Sequence, residues 1–102
     1  MYRHMVIFNL KTDINSEEAD QFLEDAAREL RTIPEVHNFQ ISRQVSPKND
    51  FSLCFSMDFE NERKFLKYVE HPTHCKFVEE RWNKEVADFL EIDLLQNFTR
   101  IN

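Results

Sequence analysis

Phe51-Ser52-Leu53-Cys54-Phe55-Ser56-Met57-Asp58-Phe59 alternates large apolar side chains with small or polar ones along its whole length. Period two marks a strand buried on one face, because successive side chains leave a strand on opposite sides. Phe51, Leu53, Phe55, Met57 and Phe59 form one strongly apolar face, and Ser52, Cys54, Ser56 and Asp58 form the other. A sheet face that apolar requires a covering layer of helices.

Working outward, Ser46-Pro47-Lys48-Asn49-Asp50 is a turn, with proline at the preset position and asparagine available for a left-handed residue. A strand over 36–45 precedes it, with Phe39, Ile41 and Val45 on one side and Asn38, Gln40, Ser42 and Gln44 on the other. The pair reads as an antiparallel hairpin. Met5–Leu10 is the first strand, with His4, Val6, Phe8 and Leu10 on one face. Asn15 and Ser16 can cap a helix, and Glu18 completes a capping box with Asn15. Ala19, Phe22, Leu23, Ala26, Ala27, Leu30 and Ile33 then recur at helical spacing until Pro34 ends the run.

After the hairpin, Asn61 caps a short helix carrying Phe65, Tyr68 and Val69, broken at His71-Pro72. Thr73 caps a second piece with His74, Phe77, Val78, Arg81, Trp82, Glu85 and Val86 along one side. In a last strand Leu90, Ile92 and Leu94 alternate with Glu91 and Asp93. The order βαββαβ is that of a ferredoxin-like α+β fold with a four-stranded antiparallel sheet. Both helices cover the apolar face. The other carries Met5, Ile7, Phe89 and Leu95 among small polar side chains, and an antiparallel sheet can leave such a face wet or pack it on a partner.

Length and composition bound the function. The 102 residues make one domain, 1–102, and ten Phe, one Trp and two Tyr give it an aromatic core. No apolar run reaches the length of a membrane span, and the first residues read as a strand, not a signal peptide. A formal charge of −6 from interspersed residues argues against nucleic acid or an anionic membrane as partner. Two cysteines are too few for a disulfide scaffold, so a reducing cytoplasm is the expected location. The absence of glycine removes the P-loop and the dinucleotide fingerprint, and no cofactor is expected.

Tyr68-Val69-Glu70-His71-Pro72-Thr73-His74 presents the pattern Y-x-x-H-P-x-H where the helix breaks. With Arg3-His4 before the first apolar strand and the turn Val45–Asp50, it resembles the stress-responsive α/β-barrel (Dabb) family over nearly the whole chain. The resemblance implies a homodimer whose two sheets face each other as a dimeric α/β barrel, which favours the packed reading of the second sheet face. Met5, Ile7, Cys54 and Phe89 are then expected at the interface, with Phe98 and Ile101 reaching across.

The family's enzymatic branch includes plant polyketide cyclases, whose pocket tyrosine and histidines match Tyr68, His74 and His4 here. A further histidine of that branch is matched by Leu53, so its site is not reproduced completely. Oxygenase chemistry without a cofactor occurs on related dimeric barrels.

The residues support a pocket independently of the resemblance. His74 shares the inward stripe of Phe77 and Val78, Tyr68 that of Phe65, and His4 alternates with Val6 and Phe8. Three titratable groups thus converge on one apolar space, where His74 can act as a base and Tyr68 as a hydrogen-bond donor. Phe8, Phe22, Leu53, Phe65 and Trp82 are its expected walls, and a small apolar or aromatic compound its expected ligand. The alternative is structural, with the polar tips satisfied at the edge of the core. His71, His74 and Cys75 do not make a recognisable metal-ligand spacing, so no metal is expected.

Overall fold

The computed structural model describes residues 1–96. Its elements run β1 (Tyr2–Leu10), α1 (Glu17–Leu30), β2 (His37–Arg43), β3 (Leu53–Phe59), α2 (Glu62–Glu70), α3 (Pro72–Phe77), a π-helical turn (Val78–Trp82), α4 (Asn83–Glu85) and β4 (Val86–Leu95). The four strands form one antiparallel sheet in the order β2-β3-β1-β4. This is the ferredoxin-like α+β arrangement expected from the alternation in β3. Among the described residues, no helix is long and apolar enough to cross a membrane.

The helices cover the face built from Tyr2, His4, Val6 and Phe8 of β1 and Leu53, Phe55, Met57 and Phe59 of β3, all of them buried. Phe22 of α1 is fully buried against this face, its ring centroid 6.1 Å from that of Phe8 and 6.2 Å from that of Phe55. Phe77 of α3 packs on Phe22 at 5.5 Å, so one aromatic cluster joins both helical segments to the sheet.

Several boundaries differ from the sequence expectations, each for a local reason. Ser16, not Asn15, caps α1: its hydroxyl accepts from the Ala19 N–H at 3.1 Å, while the Asn15 N–H donates to Asp13. The helix ends at Leu30, ahead of Pro34, and Ile33 is buried in the turn that follows. β2 is shorter than 36–45, and Val45 is 82% exposed. The left-handed asparagine is Asn38 (φ 53°), not Asn49, and it sits where the β2–β3 register shifts. Asparagine tolerates that backbone region, which one class of β-bulge uses. The Asn49 side chain instead accepts from the Phe51 N–H.

The largest correction concerns β4. Its register sets Phe89 opposite Phe8, Glu91 opposite Val6 and Asp93 opposite His4, while Leu90 faces Ile7 and Ile92 faces Met5. Directly paired residues share a sheet face. Phe89 and Leu95 therefore lie on the helix side with Glu91 and Asp93, not beside Met5 and Ile7. The outer face gains Leu90, Ile92 and Leu94 instead. Val86, expected on a helix, begins β4 and is buried.

One ionic cluster ties α1 to the π-helical turn. Asp25, buried, accepts from Arg81, Arg28 and Gln21, and Arg81 also bonds Glu85. The Arg81 guanidinium, helped by Gln21 and Arg28 and opposed by burial, lowers the Asp25 carboxyl from 3.8 to about 2. A carboxyl depressed on folding adds stability that is full above its unfolded value and is lost as pH falls through the folded one. Unfolding measured between pH 4 and pH 2 should therefore show stability falling with acidification, and Asp25→Asn should flatten that slope. An unchanged slope in the variant would show that other carboxylates govern acid unfolding.

Candidate functional site

The site begins at the break between α2 and α3. His71 takes an extended conformation (φ −62°, ψ 134°) before Pro72, as the residue before a proline prefers. Its Nδ1 accepts from the Thr73 N–H at 3.1 Å, so His71 itself caps α3, the role expected of Thr73. In an unbroken helix the Thr73 N–H would bond to the Val69 carbonyl. The break leaves that carbonyl to the ring of His74, whose Nδ1 lies 3.0 Å away. A carbonyl can only accept, so Nδ1 of His74 carries the proton and Nε2 is its open basic atom. Burial lowers the pKa of His74 below 6.5, with the Val69 hydrogen bond and Glu91 opposing, so the ring is neutral at pH 7.

Tyr68, at the last turn of α2, is buried, and its ring centroid lies 4.4 Å from that of His74. Burial, with the charge of Glu91, raises its phenol far above the ordinary 10, so the hydroxyl stays a donor. His4 reaches the same space from β1. It is 6% exposed, its ring is 6.3 Å from Tyr68, and its Nδ1 is 2.6 Å from Oδ1 of Asp93 on the neighbouring strand. The carboxylate accepts from Nδ1–H, which leaves Nε2 of His4 as its second polar atom.

These three side chains line one cavity of about 230 Å³ between the sheet and the broken helix. Trp82 lines it as well, and the π-helical turn accounts for its position. The Asn83 N–H bonds to the Val78 carbonyl five residues back, and the widened turn sets Trp82 against Phe8 at 4.9 Å and Phe89 at 5.5 Å. The other expected walls are elsewhere. Phe8, Phe22 and Leu53 are sealed inside the core, and Phe65 packs on Tyr2 at 4.8 Å and on His4 at 4.9 Å, outside the cavity. Val6, Leu30, Phe55, Met57, Phe77, Val78 and Phe89 take their place. Asn83 and Glu91 also line the space and Asp93 supports His4, none of which was expected. Nothing local in the sequence placed Asp93 beside His4, because that neighbourhood is set by the long-range pairing of β4 with β1.

The profile of the stress responsive A/B barrel domain (Dabb) matches residues 2–95. The chain belongs to this family. A Dabb family protein of Mesorhizobium loti with a ferredoxin-like fold is 44% identical, covers 92% of this chain and 94% of its own, and superposes with a TM-score of 0.91. A stress-response A/B barrel domain-containing protein of Arabidopsis thaliana is 26% identical over 80 residues, 74% of this chain and 69% of that one. A hydroxynitrile lyase of Passiflora edulis has the same fold, with a TM-score of 0.79 over 96% of each chain at 17% identity.

Proposed function

We propose that this Dabb protein is a homodimer in which each chain keeps an apolar pocket for a one-ring aromatic or similarly small apolar compound. The observation that carries the reading is the cavity of about 230 Å³, into which His74, Tyr68 and His4 converge from three different elements. Ligand pockets combine mainly apolar walls with a few convergent polar groups, and typical volumes begin at about 300 Å³, so the occupant is small. The dimer reading rests on the outer sheet face. Met5, Ile7, Leu90, Ile92 and Leu94 gather there with no helix of the described residues over them, and a contiguous apolar patch of that kind marks an interface.

A second reading, catalysis without a cofactor, is favoured by the contact of His74 with Tyr68. Nε2 of His74 can take a proton from the carbon beside a carbonyl, breaking the C–H bond as an N–H bond forms. The electron pair moves to the carbonyl oxygen, and the Tyr68 hydroxyl donates to the resulting enolate. The Passiflora edulis hydroxynitrile lyase supports the reading as an instance of an enzyme on the same fold.

One experiment addresses both. Acetophenone at about a hundred times its dissociation constant should raise the melting temperature by about 10 °C or more, since such a ligand stabilises the native state by about 2.7 kcal/mol. The same sample followed by NMR in D₂O should exchange its methyl protons faster than buffer does, and His74→Ala should return the rate to that of buffer with the fold intact. An unshifted melting curve overturns the pocket reading. A shifted curve with buffer-rate exchange leaves a binding protein without this catalysis.

A further inference from the structure

The charge of the cavity is one-sided. Among the described residues that line it, Glu91 is the carboxylate and none is a lysine or arginine. His74 is held neutral by burial, and Arg81, the nearby guanidinium on the π-helical turn, is engaged by Asp25 and Glu85. Glu91 itself forms no ion pair with any described residue. It is exposed at the mouth, yet its charge raises the proton affinity of both Tyr68 and His74, so its field acts on the interior. The rings of Trp82, Phe89, Phe77 and Tyr68 surround the same space.

These features suit one class of compound. An ammonium near aromatic faces is attracted by their electron-rich surfaces, and a carboxylate adds a charge-assisted hydrogen bond. An anionic group would lose its hydration with no partner offered in return. We infer that the cavity takes a cationic aromatic ligand, an aryl ring carrying a short alkylammonium, with the ring held by Trp82 and Phe89 and the ammonium paired with Glu91. The inference rests on the pocket reading above and adds to it the charge of the occupant.

Phenethylamine, phenethyl alcohol and phenylacetate differ mainly in charge, so calorimetric titration of the three at pH 7 isolates this effect. The amine should bind most tightly and phenylacetate about tenfold more weakly, the scale of a partly exposed ion pair combined with a cation–π contact. Glu91→Gln should bring the amine down to the level of the alcohol, with the far-UV spectrum and melting curve of the free variant as the check on folding. Raising the salt concentration should narrow the difference in the native protein, because the mouth is exposed. Equal or tighter binding of the alcohol or the acid overturns the inference and leaves the pocket standing. So does an amine preference that survives Glu91→Gln. Binding of none of the three, together with an unshifted melting curve in acetophenone, overturns both readings.

Discussion

Phe22→Ala should cost about 3–5 kcal/mol of folding stability, the range for removing a buried aromatic side chain. The Phe22 ring is fully buried and lies within 6.2 Å, centroid to centroid, of Phe8, Phe55, Phe77 and Trp82. The Arg81 guanidinium sits over it at 5.8 Å. Truncation leaves a void that touches the sheet, α3 and the π-helical turn together, so no single element can close it by moving. Small domains are stable by about 5–15 kcal/mol in all, and one kcal/mol shifts the melting point of a domain this size by about 4–8 °C. Calorimetry should accordingly find the variant melting at least about 12 °C lower. A loss below about 1.5 kcal/mol would mean that the helices can collapse onto the sheet without this ring.

The second large effect is expected at the outer sheet face. If two copies meet there, light scattering at micromolar concentration gives twice the chain mass of 12.4 kDa. Ile92→Glu should convert that species to a monomer. Ile92 lies opposite Met5, between Leu90 and Leu94, and a two-fold interface brings the substitution in twice. Each new carboxylate would be buried without a partner, a penalty of several kcal/mol per site. A monomer in the native protein ends the dimer reading, and a dimer that survives Ile92→Glu moves the interface elsewhere. Phe98 and Ile101, expected to reach across, lie outside the described residues.

How far the sequence spoke can be judged from individual residues. The alternation of Phe51–Phe59 has a period that only a strand satisfies, and it led to the sheet, the helix layer and the element order. His71-Pro72 was equally legible, because a proline restricts the residue before it whatever the context. β4 was not. Apolar residues occur there in both phases, Phe89 and Leu95 in one and Leu90, Ile92 and Leu94 in the other, so periodicity alone does not say which set faces the helices. Pairing with β1 decided it, and pairing is a long-range property. The site divides in the same way. Tyr68, His74 and His4 were visible as polar groups on inward stripes. The walls were not, because ten phenylalanines compete for the core, and which of them seal it and which border a cavity depends on how the π-helical turn is set. Glu91 and Asp93 were left out of the expected site because their phase on β4 depends on the same pairing with β1.

The strand order has a consequence for neighbours of the wrong kind. β2 and β4 form the two borders of the sheet, and β4 is ten residues long. A border strand of that length displays a row of unsatisfied amide and carbonyl groups on which another chain could grow a fibre. On β4 the carboxylates Glu91 and Asp93 point toward the helix side, and a second chain adding there would have to seat its own side chains against them. At the opposite border, the left-handed Asn38 bends β2 out of regular register. Glu91 at the mouth of the cavity and Asp93 beside His4 thus have a second effect, independent of any ligand: they make the sheet a poor seed for open-ended stacking.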